Sequence, residues 1–464
     1  MTRPPPRRSA APATSPRHSS ARTSSPRRPH ASQGRPAGHA PSTADGPPRL
    51  RRSLSHLGGS VDTAGDASAA KSLAHAIDVR SADAPLPVRG VDHADDTDRQ
   101  HVHGFHTYPA RMHPETASRL VETFSAPGSL ILDPFCGSGT VLVEAMLLGR
   151  NGFGTDINPL AVDLARLKTR PLGGALRESF LEEAAGIAET ATDRRTKRAG
   201  ATKRYLPADT ELFDPHVLLE LDSLQMGISV VKNRAIERAL AFCLSAILVK
   251  VSRKQGDTSE HMVPRRIAAG YTTRLFSKKC VELAGRMDAF AHKLPEPPPK
   301  SRVEVDDASI LNKIGDESVD AVITSPPYVG TYDYIAHHAM RLRWLGYSST
   351  GFLKAEIGAR RRYSELSYEA AIDLWSEELE RFLWAAARAM RPRAPMVLLI
   401  GDSAHGRHAL RADEIILDLT KRVPFLPIAR ASQDRPHFHR PTASAFERQP
   451  RREHALLLER RAKL

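Results

Sequence analysis

Acidic residues at three places and one proline-rich tetrapeptide carry most of the chemical information in this sequence. Asp133 opens the turn Asp133-Pro134-Phe135-Cys136-Gly137-Ser138-Gly139-Thr140, and Asp156 and the Asp306-Asp307 pair follow two later apolar runs. Gly137 and Gly139 permit a tight turn and let the backbone approach a ligand closely. The position where a dinucleotide fingerprint needs its third glycine holds Leu142, and no Gly-Lys-Ser/Thr follows, so neither a pyrophosphate nor a P-loop is implied. A carboxylate placed like Asp156 can accept both hydroxyls of a ribose. Asp306 or Asp307 can accept from an adenine amino group. Acids after three successive strands describe a site for a cationic nucleoside without phosphates. The tetrapeptide Ser325-Pro326-Pro327-Tyr328 is the second feature. Its prolines stiffen the loop and remove donors, leaving the Ser325 hydroxyl and the carbonyls as acceptors for an amine.

These residues need a sheet to hold them. Short apolar segments at 129–133, 151–156, 303–306, 319–324, 395–400, 423–429 and 453–458 read as seven strands. Helices are expected at 141–148 and 159–167, with Gly149 closing the first. Alternating strands and helices predict an open α/β sheet with ligands at the carboxyl ends of its strands. Residues 175–300 break the pattern. Helices at 211–231 and 235–251 predict a helical insertion or lid, closed by Glu296-Pro297-Pro298-Pro299-Lys300.

The formal net charge is +14, but eleven arginines and a single acid, Asp45, lie in residues 1–52. That stretch is rich in Pro, Ser and Ala and poor in aliphatic residues, so residues 1–90 are expected to form a disordered tail. The high pI therefore says little about the remainder. No run of eighteen apolar residues occurs, which argues against a membrane helix. The cysteines, at 136, 243 and 280, are too scattered for a disulfide framework or a cysteine-rich zinc site. A reducing, cytoplasmic compartment is expected. His101, His103, His106, His113, His437 and His439 read as scattered loop histidines rather than metal ligands. Two basic segments, 250–258 and 360–363, are ordinary helix ends or contacts to phosphate, and a third, 435–440 with 442–452, lacks regular periodicity. The last of them is also a candidate to lie over the substrate cleft.

The wording of the glycine turn resembles the cofactor motif of DNA amino-methyltransferases, which are Rossmann-like and use S-adenosylmethionine. Upstream, Phe105-His106-Thr107-Tyr108-Pro109-Ala110-Arg111-Met112-His113-Pro114 is similar to the segment that packs around the methionine end of that cofactor. Tyr332-Asp333-Tyr334, His337-His338 and Leu342-Arg343-Trp344-Leu345 also look like this family. The resemblance implies cofactor contacts at Tyr108, Asp133, Phe135, Gly137, Gly139, Asp156 and Asp307. It implies a catalytic pocket at Ser325, Pro326, Pro327 and Tyr328, with Tyr328 stacking on a base flipped from duplex DNA.

Ser before Pro-Pro-Tyr implies cytosine N4 as target, with adenine N6 the alternative. Cytosine carbon 5 chemistry needs a Pro-Cys pair in its own family, and the cysteines here follow Phe135, Phe242 and Lys279. The domain expectation is a cofactor half at 100–174, the insertion at 175–300 as a candidate for target recognition, and a catalytic half at 301–464. A restriction endonuclease is a candidate partner. Two rivals stay open: an RNA amino-methyltransferase, and a degenerate methyltransferase fold that only binds DNA.

Overall fold

In the computed structural model, which describes residues 58–79, 100–109, 111–256, 261–330, 333–348, 355–437 and 439–463, the seven expected strands lie in one sheet. All described residues fall within the unit 51–464. In chain order the strands are β1 (Val61–Gly65), β2 (Leu130–Asp133), β3 (Asn151–Asp156), β4 (Ser301–Val305), β5 (Ala321–Thr324), β6 (Pro395–Gly401), β7 (Ser403–His405), β8 (His408–Leu410), β9 (Phe425–Arg435) and β10 (Arg451–Arg460). The main sheet has eight strands in the order β1-β9-β10-β6-β5-β2-β3-β4; β7 and β8 form a separate hairpin. Strands β4, β3, β2, β5 and β6 run parallel, and β10, β9 and β1 add antiparallel pairings.

The period-two alternation of each strand explains why both faces are covered. Ile131, Ile323, Val397, Leu399 and Leu457 pack on one side with helices Ala67–Ile77, Pro114–Phe124 and Thr140–Leu147. Leu132, Val322, Met396, Leu398 and Leu456 pack on the other with Trp375, Leu379 and Phe382 of helix Tyr368–Ala389. Neighbours in sequence thus serve opposite cores, which fixes the register of every strand.

Two expectations need correction. The tail does not extend to residue 90, because β1 pairs with β9 and helix Ala67–Ile77 buries Ala70, Leu73, Ala76 and Ile77 against the sheet. Asp66 caps that helix by accepting the Ala69 N–H at 2.9 Å. Residues 1–57 and 80–99 lie outside the described residues, and with them the rest of the tail expectation. Ala110 and Tyr332 of the family-like segments lie outside them too. The single helix expected at 211–231 is two, Pro207–Leu212 and Pro215–Ser229. Pro215 has no N–H to continue the first helix and starts the second, where its fixed φ suits the first turn.

The insertion joins the main body through a shared core. Helices Gly174–Thr196, Pro215–Ser229, Arg234–Val251 and Tyr271–Ala291 form one apolar cluster with Val102, Phe105, Val143, Leu160, Leu164 and Trp344. The basic segment after Val251 is structural in its described part. Arg253 pairs with Asp214 at 2.5 Å, and Arg265 donates to the carbonyls of Val249, Lys250 and Lys254.

Candidate active site

The chain leaves β2 for β3 and β4 on one side, then returns to β5 and β6 on the other. The carboxyl ends of β2 and β5 therefore diverge in connection, and this is where an open α/β sheet leaves a crevice. Asp133 ends β2 and Thr324 ends β5; the Thr324 hydroxyl donates to Asp133 Oδ1 at 2.6 Å. The turn after β2 curls over this point. Gly137 has φ +48°, and its N–H donates to Asp156 Oδ2 at 3.0 Å. The Asn158 N–H donates to Asp156 Oδ1 at 2.8 Å, so turn and second acid are locked together.

Gly139 has φ +81° and caps helix Thr140–Leu147. A Cβ there would stand 2.9 Å from the Ala165 Cβ. Gly139 thus lets two helices approach, rather than lining a cleft. Gly139→Ala is expected to cost about 1–3 kcal/mol of stability through backbone strain and this clash, measured by denaturant unfolding. Stability equal to wild type would contradict this role.

A cleft of about 720 Å³ opens over these strand ends, lined by Tyr108, Phe135, Gly137, Asp156, Asp307 and Ser325 among others. A second recess of about 340 Å³ shares Tyr108, Phe135, Gly137 and Ser325 and reaches Asp133. The structure thus gathers Tyr108, Asp133, Phe135, Gly137, Asp156, Asp307, Ser325 and Pro327 about one crevice. It also chooses between the paired acids: Asp307 lines the cleft, whereas Asp306 is buried and accepts the Lys313 N–H at 2.8 Å. Asp307 Oδ1 is held by the Ser309 N–H and hydroxyl.

The electrostatics of the crevice are one-sided. No Lys or Arg lines the larger cleft, and Asp133, Asp156 and Asp307 form no ion pair among the described residues. Burial pushes the Asp133 carboxyl up to about 7, against the pull of its hydrogen bonds from Thr324 and Phe135. Burial likewise raises Asp156 to about 6, with the N–H groups of Asn158 and Gly137 opposing. Burial without a counter-cation is what destabilises a carboxylate, and a cationic ligand would supply the missing partner. Cys136 is not activated. It packs with Leu142, Val162 and Val303, and burial together with both aspartates drives its thiol further up.

The tetrapeptide closes the crevice from the β5 side. Ser325 and Pro327 line it, and Pro326 is buried. Tyr328 is absent from the lining. Its hydroxyl donates to Glu453 Oε1 at 3.2 Å, and its ring lies so close to Gly401 that a Cβ there would meet Cε2 at 2.9 Å. The loop is braced from beneath, since the Gly330 N–H donates to the Gly358 carbonyl at 3.0 Å. Gly358 in turn donates to Glu378, which also accepts from Tyr363.

Several lining residues carry no sequence signal of their own, Ile157, Ala308, Glu356 and Ile357 among them, whereas Tyr334 belongs to a family-like segment. Asn158 was marked only by the proline after it, as the cap of helix Pro159–Thr169. Glu356 pairs with Arg361 at 2.6 Å and accepts the Tyr334 N–H.

The expectation of scattered loop histidines fails for the upstream group. His101, His103, His106 and His113 are all buried. His103 Nε2 lies 2.6 Å from Glu144 Oε1, and His106 Nε2 lies 3.0 Å from the Ser245 hydroxyl. Chain distance hid these partners. His101, His103 and Glu144 have ligand atoms close enough for a shared ion, but Lys168, Arg111, Arg286 and Lys293 act on the two imidazoles, an environment that disfavours a divalent cation. Asp402, Asp413 and His454 also cluster, with each carboxylate already paired to its own arginine, Arg411 and Arg430. Next to this histidine segment, Tyr108 rests on Gly137 and stacks on His338 with centroids 4.8 Å apart.

Residues 87–167 match the family model described as DNA methylase, of the N6/N4 class. The methylase match takes in Tyr108, the glycine turn and Asp156, and stops short of Asp307 and the tetrapeptide. The Type II methyltransferase M.BsoBI of Geobacillus stearothermophilus is 25% identical over 270 residues, covering 53% of each chain. M.MvaI of Kocuria varians is 26% identical over 257 residues, 51% of this chain and 55% of that one. M.MjaII of Methanocaldococcus jannaschii is 39% identical over 69 residues, 15% and 13% of the two chains. The chain spans about half the length of the first two relatives.

Proposed function

We propose that this chain is an S-adenosylmethionine-dependent DNA methyltransferase that modifies an exocyclic base amine, N4 of cytosine. The observation that carries the reading is the pairing of two features at one crevice. Asp156 and Asp307, which form no ion pair among the described residues, line its larger recess, and Ser325 of the tetrapeptide belongs to both recesses. The donor set fits a cationic nucleoside: Asp156 for ribose hydroxyls, Asp307 for an adenine amine, Asp133 near the positive end.

When bound, S-adenosylmethionine supplies an electrophilic methyl on a sulfonium. The residues of this chain would do the rest by position and electrostatics. An exocyclic amine is a poor nucleophile because its lone pair is delocalised into the ring. The Ser325 hydroxyl and the Pro326 carbonyl accept its N–H bonds and favour a tetrahedral nitrogen. The freed lone pair then points at the methyl. No strong base has to act before transfer, because the amine becomes acidic only once it has gained a fourth bond. Cys136 has no part in this, being buried and held protonated.

Asp156 and Asp133 give the reaction a pH signature. Protonation of either removes the charge that a sulfonium nucleoside meets, so the cofactor dissociation constant should rise as pH falls from about 7 through about 6. The slope should approach tenfold per pH unit for each proton taken up. Both carboxyls are raised above the ordinary range, so their contribution to the stability of the free protein is lost as pH rises through 6–7. Cofactor should therefore raise the melting temperature more at pH 8 than at pH 5.5. Equal stabilisation at both values would contradict the assignment of these acids.

The reading is tested by incubating the protein with DNA and labelled methyl donor, then separating the nucleosides by chromatography. Label in N4-methyldeoxycytidine is expected. Label in N6-methyldeoxyadenosine would keep the enzyme class and overturn the base, and label in RNA alone would overturn the DNA reading.

A further inference from the structure

A second, larger depression lies beyond the tetrapeptide. It is an open depression of about 1480 Å³ between Arg360, Tyr363 and Ser364, the hairpin β7-β8, and Pro436, His437, His439 and Thr442, with Gly330 and Arg451 on its wall. Its character is opposite to that of the cofactor crevice. Arg360 and Arg451 face it without a carboxylate partner among the described residues, and His437, His439 and Thr442, hydrogen-bonded to one another, complete the polar wall. Its one acid among the described residues, Asp402, is already paired with Arg411 at 2.6 Å and lies within hydrogen-bond distance of His454 at 3.0 Å. The neighbouring arginines are otherwise committed: Arg361 to Glu356 and Asp333, Arg362 to Glu378, Arg435 to Glu453. Arg451 and the Tyr328 ring flank the same residue, Gly401, so the depression abuts the far side of the tetrapeptide.

We propose that this groove holds the sugar–phosphate backbone of the DNA strand beside the target nucleotide, with Arg360 and Arg451 contacting phosphates. The inference rests on the methyltransferase reading for what lies at its end. An anionic polymer fits a wide polar groove with two guanidinium groups that have no carboxylate partner among the described residues, and the base it delivers would reach Ser325 from the side opposite the cofactor. Phosphate contacts set position and salt dependence without reading sequence.

The test is the salt dependence of duplex DNA binding, by fluorescence anisotropy between about 50 and 200 mM salt. Arg360→Glu and Arg451→Gln should each weaken binding at low salt about tenfold and reduce the slope of log K against log salt by about 0.9 for each phosphate no longer neutralised. Cofactor affinity should stay within about twofold of wild type, because neither residue lines the acidic crevice. Arg451 also donates to the Asp402 carbonyl at 2.9 Å, so a lowered melting temperature of its variant would leave the decision to Arg360, which is exposed. Wild-type slope and affinity in Arg360→Glu would overturn the groove. Methyl transfer with an unchanged slope would sink the groove alone. Altered slopes without any methyl transfer would instead sink the enzymatic reading and leave the groove standing.

Discussion

Asp156→Ala should raise the cofactor dissociation constant roughly a hundredfold while leaving DNA affinity within about twofold. A charged acceptor contributes about 1.5–3 kcal/mol for each hydrogen bond it receives, and Asp156 is assigned two ribose hydroxyls. Part of that gain is offset because the carboxylate must stay ionised although burial pushes it up to about 6. A net loss of about 3 kcal/mol, or two factors of ten, is the balance. Asp156 also accepts the Gly137 and Asn158 N–H groups, so the alanine variant loosens the turn as well. Asp156→Asn keeps one carbonyl oxygen and the shape, and should fall between the two, with its pH dependence below 7 reduced to that of Asp133. Calorimetric titration gives all three constants. Wild-type affinity in Asp156→Ala would remove the ribose assignment.

Tyr328→Ala should lower turnover by about a hundredfold with cofactor affinity nearly intact, whereas Tyr328→Phe should stay within about threefold of wild type. The reason lies in what each part of the side chain touches. The hydroxyl donates to Glu453 Oε1 at 3.2 Å and also meets the Ser325 side chain, so its loss costs modest hydrogen bonds while the ring stays in place. The ring fills the space over Gly401 between the tetrapeptide and the basic groove. An aromatic face stacked on a base contributes about 1–3 kcal/mol, and the ring also braces the loop that carries Ser325 and Pro327. Single-turnover methyl transfer at saturating cofactor separates the two variants. Equal losses in both would assign the effect to the hydroxyl, and a parallel loss of cofactor affinity would mean that Tyr328 supports the crevice rather than the base.

What the sequence made legible divides along physical lines. The seven strands could be read because two-sided burial forces unbroken apolar runs such as those in β5 and β6, bounded by turn residues. Asp133, Gly137 and Asp156 could be read because a strand-to-helix turn puts its chemistry at fixed short spacing. The first strand could not. Its Val-Asp-Thr-Ala-Gly is mostly exposed, and its only reason to be extended is pairing with residues 429–433 of β9. The same applies to Glu356 and Ala308, which enter the cleft through long-range packing, and to the His103–Glu144 contact across forty-one positions. The direction of Tyr328 was also hidden, since it depends on a glycine at 401 leaving room for the ring.

Methyl transfer by this chain requires that a sulfonium nucleoside and a base amine meet at Ser325. A crystal structure with S-adenosylhomocysteine bound examines that directly. The ribose should sit on Asp156 and the adenine near Asp307, with the sulfur turned toward the Ser325 side of the crevice. A ligand found in the basic groove, or bound with its sulfur facing away from the tetrapeptide, would contradict it.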